Sequence, residues 1–209
     1  MRLRNISRWI VVALVVAVAA IALVRQHLSA QPTIHPQATA TSAALTGGTA
    51  LHSAMPTVSL HDQTGALVTN ASLKGRPVIV TFMDMTCTEE CPIIAQELQL
   101  TANFLGPQKA SQVEWVVVSV NPNNTPAEVS TFFNEQKVTL PVKVLLGTNA
   151  ELSPVWKEFG IYVEPSATDV THTAATFLVD QSGAERMVFL DSVDSKALAN
   201  DLAVVLAEK

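Results

Sequence analysis

Cysteine, histidine and charge are all scarce in this chain, and each scarcity removes a class of function. Two cysteines among 209 residues are too few for a disulfide scaffold. Charged residues make up 15% of the chain and the net charge is −5, so no basic stripe exists to neutralise phosphates and nucleic acid is not a partner. Histidines number five, so each can be weighed singly as a metal ligand. No internal repeat is present.

What is there concentrates in one stretch, Thr86-Cys87-Thr88-Glu89-Glu90-Cys91-Pro92, which holds both cysteines. It follows the apolar run Val78–Phe82 and precedes the helical pattern Ile93-Ile94-Ala95-Gln96-Glu97-Leu98. Two thiols therefore sit in a turn between a buried strand and the start of a helix. Their confinement to one short motif favours a metal or redox role over stapling.

The amino-terminal side reads as export machinery. Arg2, Arg4 and Arg8 precede an uncharged run from Trp9 to Val24, closed by Arg25. As a helix that run is roughly 24 Å long at about 1.5 Å per residue, short for a bilayer core of about 30 Å. It suits the apolar part of a cleavable signal or a short signal anchor. The cleavage candidate at Leu28-Ser29-Ala30 lacks a small residue three positions before the cut, which favours an anchor. Arginines stay cytoplasmic, so the rest of the chain is expected outside the cytoplasm, on a single-pass membrane protein. Residues 1–30 are thus the signal or anchor segment, 31–54 a flexible tether rich in Ala, Thr, Ser, Gln, Pro and Gly, and 55–209 the folded domain.

Within the domain, Val58–Leu60 and Ala66–Val68 read as short strands around a turn at His61–Gly65. The helix after Pro92 ends at Gly106-Pro107. Glu114–Val120 is continuously β-branched, the pattern of a strand covered on both faces. Thr125, Pro126 and Glu128 form a capping box for the next helix. Val142–Leu146 is another buried strand, and Ser153-Pro154 opens a short helix. Thr176–Val179 and Arg186–Phe189 make a hairpin, and Leu198, Leu202, Val205 and Leu206 mark a last helix. Two short strands, then βαβαβα, then a hairpin and a helix imply an α/β domain with a mixed central sheet flanked by helices, similar to a thioredoxin-like fold. Ligand sites in such sheets lie beyond the carboxyl ends of the strands, where the cysteine turn stands.

The chemistry of the turn follows from its neighbours. Pro92 favours the first helical position, which puts Cys91 at the N-cap, where free N–H groups and the helix dipole stabilise a thiolate. Glu89 and Glu90 oppose that charge and would favour an arriving cation. Two thiolates select a soft metal, Cu(I) or Zn(II). For a third ligand, His27 lies at the membrane edge, His35 and His52 in the tether, and His61 in an early turn. His172, in Val170-Thr171-His172-Thr173, comes just before a late strand whose leading loop faces the cysteine turn in a thioredoxin-like sheet. On the residues alone, a ligand and an ordinary polar loop histidine are equally compatible with that position.

Three features together resemble the Sco/SenC family: Cys87-x-x-x-Cys91-Pro92 after an apolar strand, the Val118-Ser119-Val120-Asn121-Pro122 turn, and His172 before Phe177-Leu178-Val179-Asp180-Gln181-Ser182-Gly183. The resemblance covers Met55 to Lys209. It implies a membrane-anchored copper chaperone of thioredoxin-like fold, assisting assembly of the dinuclear copper site of cytochrome c oxidase. It implies Cys87, Cys91 and His172 as ligands of Cu(I) or Cu(II). The partner it implies is the copper-site subunit of the oxidase or another exported cuproprotein. The chain departs from the family pattern at Met83-Asp84-Met85, where a Gly-aromatic-Thr stretch is usual, and at Asn121-Pro122, where Asp-Pro is usual. Met83 and Met85 share strand parity with Cys87 but read as core filler.

A second function belongs to a different class. Cys87 and Cys91 could form a redox disulfide, which would make the domain a thiol–disulfide oxidoreductase acting on cysteines of an exported partner. Against it, thioredoxins place two residues between their cysteines and a proline before the late strand, whereas this chain has three and offers Thr173-Ala174.

Overall fold

The computed structural model of the chain describes residues 44–165 and 170–208. The expected anchor over 1–30, and the expected tether as far as residue 43, lie outside the described residues. Among the described residues no helix is long and apolar enough to cross a membrane.

In chain order the elements are β1 (Thr49–Ala54), β2 (Ser59–Asp62), β3 (Leu67–Thr69), α1 (Asn70–Leu73), β4 (Val78–Met83), α2 (Glu90–Leu105), α3 (Pro107–Ala110), β5 (Glu114–Ser119), α4 (Pro126–Glu135), β6 (Val142–Leu146), α5 (Asn149–Glu158), β7 (Val163–Pro165), β8 (Val170–His172), β9 (Ala175–Val179), β10 (Ala184–Leu190) and α6 (Ser195–Ala207). Eight strands form one sheet in the order β1-β10-β9-β4-β5-β6-β2-β3. β4, β5 and β6 are parallel, and β9 joins β4 antiparallel. This is the mixed, helix-flanked, thioredoxin-like sheet that the element order implies.

The central strands carry their pattern through into packing. Every residue of β4, β5 and β9 is buried. Side chains alternate across the sheet. Ile79, Val117 and Val144 pack with Leu98 of α2, Phe132 of α4 and Leu202 of α6. Val80, Val116 and Leu145 pack on the opposite face with Val155 and Trp156 of α5. Each such side chain contributes about 1.5–3 kcal/mol when fully buried, which is why these strands read as unbroken apolar runs.

The capping box of α4 is present: Glu128 accepts from the Thr125 N–H at 2.7 Å and the Thr125 hydroxyl at 2.9 Å. Gly106 ends α2 with φ +83°, a left-handed conformation that favours glycine. Three expectations need correction. The sheet takes in Thr49–Ala54, on the tether side of the expected boundary at residue 55. There Gly48 supplies close approach rather than looseness, since a Cβ on it would stand 2.5 Å from the Val188 carbonyl oxygen. α5 begins at Asn149 rather than Ser153, because Glu151 folds back to accept from Thr148 N–H and hydroxyl (2.8 and 2.7 Å), and Pro154 lies inside the helix. Finally, a small second sheet, β7 with β8, precedes β9.

Candidate metal centre

β4 ends at Met83, and the chain turns through Asp84–Glu89 into α2. Asp84 builds that turn. Its carboxylate oxygen Oδ1 accepts from the Thr86 N–H and the Thr86 hydroxyl, each at 2.9 Å. Its carbonyl accepts from the Cys87 N–H at 3.2 Å. Glu89 is the helix N-cap, so Cys91 is the second residue of α2 and not its cap.

That two-residue difference exchanges the roles of the two cysteines. The Cys91 thiol and the backbone N–H groups of Cys91, Glu89 and Glu90 all point at the Cys87 sulfur. Led by the Cys91 hydrogen bond, they hold the Cys87 thiol down to about 5 in spite of partial burial. Cys91 lies beside the Cys87 thiolate and is fully buried, so it keeps its proton far above the ordinary thiol range. The helix N-terminus therefore stabilises a thiolate on Cys87, the residue preceding the helix, whereas the N-cap expectation assigned it to Cys91. The side chains of Glu89 and Glu90 are exposed. Both cysteines are free thiols.

The β4–β9 pairing brings the histidine over. Thr81 pairs with Thr176 in antiparallel register, so the chain leaving β4 and the chain entering β9 meet at one end of the sheet. His172 closes β8, opposite Val163 of β7. Its Nδ1 lies 3.1 Å from the Thr173 carbonyl oxygen. A carbonyl only accepts, so Nδ1 carries a proton, which leaves Nε2 as the ring atom available to ligate. Nε2 lies 4.0 Å from the Cys91 sulfur. A cleft of ≈ 550 Å³ opens over this pair, lined by Thr86, Cys87, Glu89, Glu90, Thr171 and His172 among others.

Of the expected trio, Cys87 and His172 line the cleft, while Cys91 is fully buried and reaches the histidine only through the 4.0 Å approach of its sulfur. Among the described residues, no group of three His, Cys, Asp or Glu side chains is drawn tightly enough to hold a metal ion. A soft metal bound by sulfur at about 2.3 Å and nitrogen at about 2.0 Å would separate those atoms by roughly 3.6–3.8 Å. The 4.0 Å gap is within a few tenths of that value. The donor set, two sulfurs and an imidazole, fits a soft cation. Met83 and Met85 are buried at 0% and 5% exposure in the apolar cluster under α2, as core side chains. His52 lies in β1 and His61 in β2.

Sequence reasoning missed what lies beneath the turn. Asp84 is 2% exposed. Its Oδ1 also accepts from Asn124 Nδ2 at 2.9 Å, and Oδ2 accepts from Asn121 Nδ2 at 3.1 Å. Asn124 Oδ1 in turn accepts from the Met85 N–H (3.0 Å) and the Ser119 hydroxyl (2.8 Å). The available signal was Asp84-x-Thr86, an aspartate able to bond the backbone two residues on.

Residues 49–207 match the SCO1/SenC family model. The chain belongs to this family. No curated protein sequence matches it. Among solved structures, ScoI of Bradyrhizobium japonicum with copper bound is 26% identical, with TM-score 0.62 over 73% of this chain and 99% of that one. ScoI of Arabidopsis thaliana with copper bound is 19% identical, with TM-score 0.66 over 75% and 100%. BsSco, described as a member of the Sco family of cytochrome c oxidase assembly proteins, is 19% identical, with TM-score 0.64 over 77% and 97%. These last two bear on the fold alone. Asp84 and Asn121, the two places where the sequence departs from the pattern expected of the family, are joined by the Asn121 Nδ2 to Asp84 Oδ2 hydrogen bond.

Proposed function

We propose that this chain is an exported, membrane-tethered copper-binding protein that delivers copper for assembly of the dinuclear copper site of cytochrome c oxidase. Cys87, Cys91 and His172 are the ligands. Family membership supports the copper and oxidase reading, and so does the copper-bound state of the Bradyrhizobium japonicum relative. The observation that carries the ligand assignment is the Nε2 of His172 at 4.0 Å from the Cys91 sulfur. The acceptor is the copper-site subunit of the oxidase or another exported cuproprotein. The run Trp9–Val24 supplies the membrane attachment and places the domain on the extracytoplasmic side.

The chain's own groups supply what a delivery site needs. Cys87 is already the thiolate at neutral pH, so copper has no proton to displace there. Cys91, which keeps its proton in the metal-free protein, gives it up as the metal binds. His172 needs no change of tautomer to ligate through Nε2. Two sulfurs and one nitrogen leave room for an acceptor's ligand to enter before any of them leaves. The test is a titration of reduced domain with Cu(I) against a chromophoric competitor, repeated with Cys87→Ser, Cys91→Ser and His172→Ala. X-ray absorption on the loaded protein is expected to find two sulfurs and one nitrogen. Unchanged affinity in His172→Ala would remove that residue from the site.

The electrostatics favour a second reading beside the first. A half-buried thiolate at Cys87 with a buried thiol behind it at Cys91 is the arrangement of an attacking and a resolving cysteine. A thiol–disulfide oxidoreductase would reduce insulin catalytically without copper. Copper binding without such turnover would leave the delivery reading alone.

A further inference from the structure

We propose that Asp84 is the positioning residue of the dithiol, and that the acid it provides could equally be carried by residue 121. This deepens the copper reading and rests on it. Asp84 is 2% exposed, yet its carboxylate accepts four hydrogen bonds, from the Thr86 N–H and hydroxyl, Asn124 and Asn121. Its main chain holds the first sulfur-bearing residue directly, since the carbonyl accepts from the Cys87 N–H at 3.2 Å. The turn so fixed runs straight into the first turn of α2, which carries Cys91. Fixing this one side chain therefore fixes the turn that presents both ligands. Outer partners of that kind orient first ligands in metal sites generally.

The hydrogen-bond pattern states which substitutions can work. In Asp84→Asn, the Oδ1 position can still accept from Thr86 and Asn124. The new Nδ2 then faces the Nδ2 of Asn121 at about the present 3.1 Å, donor against donor. Turning the Asn121 amide over would relieve that clash. It would also take Oδ1 of Asn121 away from the Asn123 N–H, which it now accepts at 3.0 Å. The paired exchange Asp84→Asn with Asn121→Asp has no such conflict. Asn at 84 donates to the new carboxylate at 121, whose second oxygen still serves the Asn123 N–H. Charge, bond count and turn are all retained.

The test measures Cu(I) affinity by competition in the full chain and in its Asp84→Asn, Asn121→Asp and doubly exchanged variants, with thermal midpoints alongside. Asp84→Asn is expected to bind Cu(I) about 10–100-fold more weakly, the usual effect of losing an outer partner. The double exchange is expected to return to within about threefold of the wild type. A folded Asp84→Asn with wild-type affinity overturns the proposal, whatever its thermal midpoint, because the residue would then serve stability only. If Asp84→Asn does not fold, the double exchange decides. Wild-type affinity there supports the proposal, while weakened binding or failure to fold overturns it. A copper-free arm separates this from the copper reading. Amide exchange at Thr86 and Cys87 is expected to quicken in Asp84→Asn and to slow again in the double exchange, even if the wild type proves not to bind copper at all.

Discussion

The sulfur half and the nitrogen half of the site are built on different kinds of ground. Cys87 and Cys91 follow β4, a strand with neighbours on both sides and with every residue buried. His172 ends β8, one of two three-residue strands forming a separate sheet, and its side chain is only half-buried. A two-stranded ribbon has little stability of its own, whereas the end of a central strand inherits the stability of the whole core. On the copper reading, the difference divides the work. The core fixes two sulfurs in a set geometry, and the ribbon offers an imidazole that can yield first when an acceptor's ligand arrives.

The largest test of that asymmetry is on the fold itself. Phe82 lies in β4 at 0% exposure, with ring contacts to Phe159 and Phe177 at 5.3 and 6.2 Å. Phe82→Ala is expected to cost about 3–5 kcal/mol in urea unfolding. Thr171→Ala, at an exposed position of β8, is expected to stay within about 0.5 kcal/mol. Comparable losses at both would mean that the ribbon is as integral to the core as β4. Next come the ligands. Loss of either sulfur is expected to weaken Cu(I) binding beyond the roughly 10–100-fold that an outer partner costs, with His172→Ala smaller than either. The reverse order would place the anchor of the site on the ribbon.

The two sulfurs should also differ from each other. In reduced, metal-free protein, iodoacetamide is expected to label Cys87 first, with a rate that is flat at neutral pH and falls away below about 5 as the thiolate takes up its proton. Cys91 is expected to stay unlabelled under the same conditions, being buried and holding its proton. The linkage runs in one direction. The Cys87 thiol is held low in the folded protein, so between its unfolded value of 9.0 and about 5 the unfolded chain binds more protons. Stability from this group is present above 9.0 and is lost as pH falls through about 5. Cys91 acts in the opposite sense above the ordinary thiol range. Cys87→Ser is expected to flatten the rise between those limits, as read from unfolding midpoints across pH.

Legibility in the sequence follows the same division. β4, β5 and β6 are apolar runs whose neighbours in space are other apolar runs, so the sequence marks them plainly, and Val142–Leu146 coincides with the expected strand. β7 and β8 have no such mark. Each is three residues long, and they pair with each other, with one valine from each, Val163 and Val170, packed against the core, so no periodicity announces them. β1 was hidden by Gly47 and Gly48, which read as linker composition although close approach to β10 and to Phe189 is what requires them. The cysteine pair and His172 were legible as residues. Which cysteine would hold the thiolate was not, because that depends on whether α2 begins at Pro92 or two residues earlier, at Glu90. Asp84 was read only as a departure from a pattern. Its role is set by Asn121 and Asn124, some forty residues away.

The smallest effect is expected where the ribbon meets β9. Thr173 accepts the Tyr162 N–H on its hydroxyl at 3.2 Å, and its own N–H donates to the Tyr162 carbonyl at 2.9 Å. Thr173→Val removes only the first of these. Tyr162 is 59% exposed, so water can replace the lost acceptor, and the cost is expected at or below about 0.5–1 kcal/mol. The bond from His172 Nδ1 goes to the main-chain carbonyl of Thr173, which the substitution leaves in place. The Nδ1 proton and the available Nε2 are therefore retained, and Cu(I) affinity is expected to change by less than about fivefold, the equivalent of 1 kcal/mol. A loss as large as that in His172→Ala would mean that one weak hydrogen bond governs where the imidazole stands. The ribbon would then be a finely held ligand frame rather than a yielding one, and the division of work between the two halves of the site would fail.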